Sequence, residues 1–161
     1  ELIDLIKRAG LEMVYIGIES SDAKVLNGIK RFTVNNDEQY LKIKQLVKKK
    51  IIVKSMYMFG NPDDNVESIK TTIKYSKYLP NQLVQYSVFT PYPGTPIYKT
   101  FEDKIVEKKY EHFNQYNLVY KHNTLNNNNL IELKNLGYRS FYFNLGKIFI
   151  IFKSLFSLVR T

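Results

Sequence analysis

Apolar runs of strand length alternate with helix-patterned segments along the first hundred residues, and few folds accept that order. "ELIDLIKRAG" reads as an amphipathic helical segment stopped at Gly10, and "LEMVYIGIES" as a strand whose apolar run ends in polar residues. "NNDEQYLKIKQLVKKK" places Tyr40, Ile43 and Val47 on one helical face, with Asn35 and Glu38 at capping-box spacing before it. "IIVKSMYMF" is a second strand closed by Gly60-Asn61-Pro62. The helix that follows, "NVESIKTTIKYSKYL", aligns Val66, Ile69 and Ile73, with Asp64 and Glu67 expected to cap its start and Pro80 to stop its end. "LVQYSVF" is the third strand. The order α-β-α-β-α-β implies βαβ units and a parallel sheet or barrel. Three strands are too few to close a barrel, which suggests that earlier units belong with these.

With 161 residues, of which 44% are hydrophobic and 14% aromatic, the chain can bury one core. It has no cysteine, which excludes disulfides, thiolate metal sites and a cysteine nucleophile. Its two histidines, His112 and His122, make a poor metal site alone. The net charge of +9 invites an anionic partner, although lysines scattered over a solvated surface account for it equally. The chain opens on Glu1 in what reads as the second half of a helix, so a fragment is expected. No secretory signal is visible, and a cytoplasmic location is expected.

Three of the five prolines fall in "TPYPGTPIY", residues 90–98, directly after the third strand. Proline fixes φ and removes a donor, so this loop is stiff and stops the strand. In parallel α/β architectures ligands bind at the carboxyl ends of the strands. Those ends carry Glu19-Ser20-Ser21, Gly60-Asn61 and Thr90-Pro91-Tyr92, with Arg31 in the long loop after the first. A carboxylate can accept two hydroxyl hydrogen bonds, as from a ribose, and an Arg fork pairs with a carboxylate. An exposed surface pair is an equal reading of Glu19 and Arg31, and a turn is the ordinary reading of Gly60.

The segments "GLEMVYIGIESSDAKVLNGIKRFTVNND", "VKSMYMFGNPDDNVESIKTTIKYSK" and "VQYSVFTPYPGTPIY" resemble, in order and spacing, the last three strand–helix units of a radical S-adenosylmethionine enzyme. The likeness is greatest to the class that carries a cobalamin (B12)-binding domain. It implies the second half of a partial (β/α)6 TIM-like barrel over residues 1–100. Glu19, followed by Ser20, then matches the position that binds the ribose hydroxyls of S-adenosylmethionine, and Arg31 the one that holds its methionine carboxylate. Gly60 matches the fifth-strand turn, and Phe89 with Thr90 the sixth-strand end beside adenine. The proline loop would fix the rim of the barrel mouth.

The family's 4Fe-4S cluster sits on a C-x-x-x-C-x-x-C loop, and this chain has no cysteine. It also lacks the glycine-rich second-strand motif and any cobalamin domain. The resemblance therefore implies a carboxy-terminal part that contributes S-adenosylmethionine contacts to reductive cleavage, forming a 5'-deoxyadenosyl radical, and that is inactive alone. Its partner would be a missing N-terminal half or a split partner chain. The reaction would be cobalamin-dependent methyl transfer or rearrangement on a small molecule or lipid, with the cobalamin on a domain outside this chain. No residue is assigned as general acid, base or nucleophile. Ser21 stands where glycine is usual, and Asp63-Asp64 where Gly-Glu is frequent.

Residues 101–135 read as a connecting segment whose Asn run forms a loop, and residues 136–161 as an amphipathic helix. On a wheel, Phe141, Leu145, Ile148, Phe149, Phe152, Leu155, Phe156 and Val159 form one sector, with Lys147, Lys153 and Ser154 largely opposite. The lysines argue against a membrane span. Packing of the apolar sector on the body of the protein or a partner is the first expectation, and peripheral membrane contact the second. The alternative to an enzyme is a non-catalytic basic module docking on a membrane or RNA through Lys48-Lys49-Lys50 and the tail. Nucleic acid is disfavoured, because no RNA-binding domain is appended and cations at a helix carboxyl end have a structural explanation.

Overall fold

The computed structural model describes residues 1–31 and 35–159, with side chains up to residue 154. Helix α1 (Leu2–Arg8) leads through Gly10, at φ +96°, into β1 (Met13–Glu19). A short helix, α2 (Ala23–Gly28), comes next, and α3 (Asn36–Lys48) returns to β2 (Ile52–Phe59). Helix α4 (Val66–Tyr78) connects to β3 (Leu83–Val88). Beyond β3 lie α5 (Pro96–Phe101), two single 3₁₀ turns, α6 (Asn127–Tyr142) and α7 (Leu145–Val159). The strands form one parallel sheet in the order β1-β2-β3. The α/β class and the parallel sheet match the sequence reading.

Strand periodicity divides the sheet into two unlike faces. Ile18, Val53, Tyr57, Phe59, Val84, Tyr86 and Val88 point one way and are buried. Ile43 of α3, Ile69 and Ile73 of α4, and Leu130, Leu133 and Phe141 of α6 cover them in a single core. Both crossover helices therefore lie on the same face. On the other face Met13 and Tyr15 are exposed and Lys54, Met56 and Gln85 are half-buried. The Lys54 ammonium sits 5.1 Å from the centre of the Tyr15 ring there.

The two edges of the sheet also differ. At β3 every second backbone N–H turns outward, and each is met: Val84 N donates to the Tyr142 hydroxyl at 3.3 Å, Tyr86 N to the Tyr138 hydroxyl at 3.1 Å, and Val88 N to the Gln115 carbonyl at 2.8 Å. Close approach of α6 depends on Gly137, where a Cβ would lie 2.8 Å from the Tyr86 ring. β1 is the opposite edge, with no strand beyond it among the described residues.

Three local expectations are corrected. Asn65 rather than Asp64 caps α4, forming a capping box with Ser68, because Asp64 is buried in the preceding turn. Asn35 caps α3, accepting from Asp37 N at 2.8 Å, whereas Glu38 pairs with Lys42 at 2.7 Å. The Asn run starts a helix: Asn126 and Asn129 exchange side-chain bonds with each other's backbone N–H at 2.9 and 3.2 Å, so the run that reads as a loop is the cap of α6. The helices α2 and α5 are short and were not expected.

The apolar sector expected over residues 141–159 is split by Phe143 and Asn144. Phe141, in the last turn of α6, is fully buried, whereas in α7 Lys147 is buried and Leu145, Phe149 and Phe152 are exposed. Packing of that sector on the body of the protein is thus overturned for these three. The reason is polar: the Lys147 ammonium donates to the Leu79 carbonyl at the carboxyl end of α4 and to Asn81 O and Oδ1 at 3.2 and 3.3 Å. Leu155, Phe156 and Val159, as side chains, lie outside the described residues. No helix among the described residues is long and apolar enough to cross a membrane.

Candidate functional site

The carboxyl end of β1 is irregular in a way the other two strand ends are not. The register to β2 shifts between Gly17 and Glu19, and Glu19 takes φ +65°, a left-handed conformation that side chains rarely adopt. Ser20 and Ser21 then tie the chain to α4, both within 3.2 Å of the Thr72 hydroxyl. Asp22 caps α2, accepting from Lys24 N and Val25 N. Lys30 at φ +55° turns the chain again, and the Arg31 guanidinium comes back over the strand to meet the Glu19 carboxylate at 2.9 Å.

Gly17 makes that contact possible. A Cβ there would lie 2.6 Å from Glu19 Oε1 and 3.1 Å from Arg31 Nη2. The pair rests on bare backbone. Beside it opens a cleft of 430 Å³ whose lining includes Gly17, Ser20, Ser21, Arg31, Asn35 and Gln39. The Arg31 side chain is 55% exposed, and ion pairs so exposed contribute roughly 0–1 kcal/mol. A left-handed non-glycine residue costs on the order of 1–3 kcal/mol. Stability therefore does not account for the arrangement, which sets the Glu19 carboxylate against a guanidinium that lines the cleft.

At the end of β2, Gly60 takes φ +75°, a conformation that strains any side chain, and a Cβ there would also crowd Leu130 at 3.1 Å. Its carbonyl accepts from the Tyr120 hydroxyl at 2.7 Å. Asn61 is buried beneath, donating from its side chain to the Met58 carbonyl at 2.6 Å and to Asp64 Oδ2 at 3.1 Å. Burial pushes the Asp64 carboxyl up, against hydrogen bonds from Ser68 and Asn61 that pull it down. His122 Nδ1 accepts from the backbone N–H of Thr124 and Leu125, so its Nε2 donates, to the Asn61 carbonyl at 2.8 Å. These contacts hold a rigid turn.

At the end of β3, Phe89 and Thr90 face inward. The Phe89 ring packs on Phe101 and Tyr120 with centroids 5.5 and 5.8 Å apart. The Thr90 hydroxyl is engaged by the carbonyls of Asn114 and Val88 at 2.7 and 3.1 Å. The proline-rich loop does more than stop the strand: Thr95 caps α5 and Pro96 is its first residue.

Of the six residues expected at the site, Glu19 and Arg31 are brought together and Ser20 lies beside them in the cleft wall. Gly60 and Phe89 are joined through Tyr120, and Thr90 is occupied within the fold. Sequence reasoning missed Gly17, for which a glycine inside a strand is the signal of close approach. It also missed Thr72, which carries no signal of its own, and weighed His122 only as a metal ligand rather than as a brace for the turn. Among the described residues no group of three or more His, Asp or Glu could hold a metal ion.

Three motifs in chain order, set on three parallel strands with their polar ends on one rim, make this chain a relative of the radical S-adenosylmethionine enzymes. It is 24% identical over 132 residues to bacteriochlorophyllide d C-12(1)-methyltransferase of Chlorobaculum tepidum, covering 82% of this chain and 29% of that protein. It is 23% identical over 145 residues to anaerobic magnesium-protoporphyrin IX monomethyl ester cyclase of Rubrivivax gelatinosus, covering 89% and 26%. The chain thus spans little more than a quarter of the length of these relatives. In fold it is similar to Elp3 of the archaeon Methanocaldococcus infernus, with a TM-score of 0.51 at 19% identity over 63% of this chain and 24% of that one. No family model matches.

Proposed function

We propose that this chain supplies the S-adenosylmethionine-positioning half of a radical methyltransferase or cyclase, with the cluster-bearing half on a missing N-terminal segment or a split partner chain. The observation that carries the reading is the Glu19–Arg31 pair laid over Gly17 at the carboxyl end of β1. Opening that pair frees a carboxylate for ribose hydroxyls and a guanidinium for the methionine carboxylate. The sheet supports the same reading: both crossover helices cover one face, the other is less covered, and among the described residues no strand lies beyond β1. A partial barrel completed by strands beyond β1 would use that edge and enclose the less covered face.

The chain does not fit a 4Fe-4S cluster, since it has no cysteine. Its residues bind and orient, and Gly60, Phe89 and Thr90 form the rigid rim on the adenine side. Two of the relatives named are a methyltransferase and a cyclase of tetrapyrroles; a small molecule or lipid is the substrate class proposed here.

The test is S-adenosylhomocysteine binding by the enzyme reconstituted from this chain and the cluster-bearing half. Glu19→Ala and Arg31→Ala should each weaken binding by about tenfold or more, the worth of a charged hydrogen bond. Unchanged affinity in both would leave the pair a surface salt bridge and remove the reading.

A further inference from the structure

Helix α7 buries a lysine among partly buried isoleucines, Ile148, Ile150 and Ile151, and leaves larger apolar side chains outside. Lys147 is buried at 2% exposure, and Ser154 accepts a hydrogen bond from Gln82 Nε2 at 3.0 Å. Leu145, Phe149 and Phe152, spaced i, i+4 and i+7, form an outward stripe at 82%, 69% and 57% exposure. Each large apolar side chain left in water forgoes about 1.5–3 kcal/mol of burial. A helix that buries its lysine and exposes its aromatics has been turned toward something apolar outside the chain.

The charge around the stripe identifies what that is. A cleft of 510 Å³ beside it is lined by Lys44, Lys48, Lys50 and Lys153 together with Phe149 and Ile150. Among the described residues none of these lysines is in an ion pair, and the sequence has no Asp or Glu after Glu132. An apolar stripe bordered by cations, on a helix too short to span, matches the interface of a negatively charged membrane. A nucleic-acid backbone would have no use for the stripe.

We propose that α7 seats the protein on an anionic lipid bilayer, with Leu145, Phe149 and Phe152 entering the interface and Lys48, Lys50 and Lys153 meeting the headgroups. Lys147 fixes the rotation of the helix by anchoring it to the end of α4, so that the stripe faces out. This inference stands apart from the S-adenosylmethionine site, which lies at the other end of the sheet.

Flotation of the full chain with vesicles tests it. The chain should float with phosphatidylcholine vesicles containing one-third phosphatidylglycerol, and not with phosphatidylcholine alone, at about 150 mM salt. The double variant Phe149→Ser/Phe152→Ser should bind at least ~10-fold more weakly while keeping its melting temperature. The triple variant Lys48→Gln/Lys50→Gln/Lys153→Gln should lose the preference for anionic vesicles. Equal binding by the Phe variant, or no flotation, overturns the proposal. So does a dimer in light scattering that the Phe variant converts to monomer, which would assign the stripe to a second copy.

Discussion

The two helices that close the chain, α6 and α7, follow one another with a two-residue break and face opposite ways. α6 turns Leu130, Leu133 and Phe141 into the core and leaves Ile131 and Leu136 about half exposed. α7 turns a lysine in and a Leu/Phe stripe out. Their sequences do not announce the difference, because both are amphipathic and rich in aromatics. The orientation of each is set by unmet backbone groups nearby: the outward N–H groups of β3 draw the tyrosines of α6, and the carboxyl end of α4 draws Lys147. Apolar area decides which helices dock; in this molecule polar anchors decide how they are rotated.

The sharpest way to break that comparison is to truncate one phenylalanine on each helix. Phe141→Ala removes a fully buried ring and should cost about 3–5 kcal/mol. Phe149→Ala removes one that is 69% exposed and should change stability by no more than ~0.5 kcal/mol. Urea unfolding of the two variants decides the matter. Similar losses would mean that α7 buries its stripe on the chain itself.

The anchor of α7 can be read through pH. Burial lowers the Lys147 ammonium to about 8, whereas an unfolded lysine titrates near 10.4. Between those values the unfolded chain binds more protons than the folded one, so stability rises with pH from about 8 toward 10.4. The full desolvation penalty is present below that window and is relieved through it, by roughly 2 kcal/mol at pH ~9.5. In Lys147→Met that rise should vanish. The buried tyrosines are common to both proteins, so the difference between the two pH profiles isolates the lysine. Identical profiles would show that Lys147 is solvated and that something else sets the rotation of α7.

The strands and the helices α3 and α4 were legible because their apolar periods are strong and each is bounded by Gly, Pro or Asn, as in "MFGNPDDN" and "YLPNQ", whereas α6 was hidden because its Asn run reads as a loop. Glu19 and Arg31 were legible as chemistry at a strand end, and the equal reading, that they form a pair, also describes their geometry. The rest depended on tertiary partners. Asp64 reads as a cap until the turn buries it under Asn61. Lys147 belongs to the polar side of a wheel, and nothing in its neighbours in sequence says that α4 ends at its tip. Phe89 and Thr90 follow the third strand, but their side chains turn into the protein because Tyr120 and Asn114 return from far along the chain.

The smallest effect tests the other half of the comparison, the tyrosine anchors of α6. Tyr138 stacks edge-on against Tyr86, with ring centres 5.0 Å apart, and its hydroxyl accepts the outward N–H of the same residue. Tyr138→Phe keeps the ring and removes only the acceptor. A hydrogen bond of this kind contributes about 1 kcal/mol net, and the freed amide lies on an edge that water can reach beside α6. The Tyr86 amide should therefore exchange about fivefold faster, while core amides paired between β2 and β3 are unaffected. If exchange at Tyr86 is unchanged, ring packing alone covers that edge. If the whole of β3 is released instead, the hydroxyl is holding α6 in place as Lys147 holds α7, and the two helices differ in what they expose but not in how they are fastened.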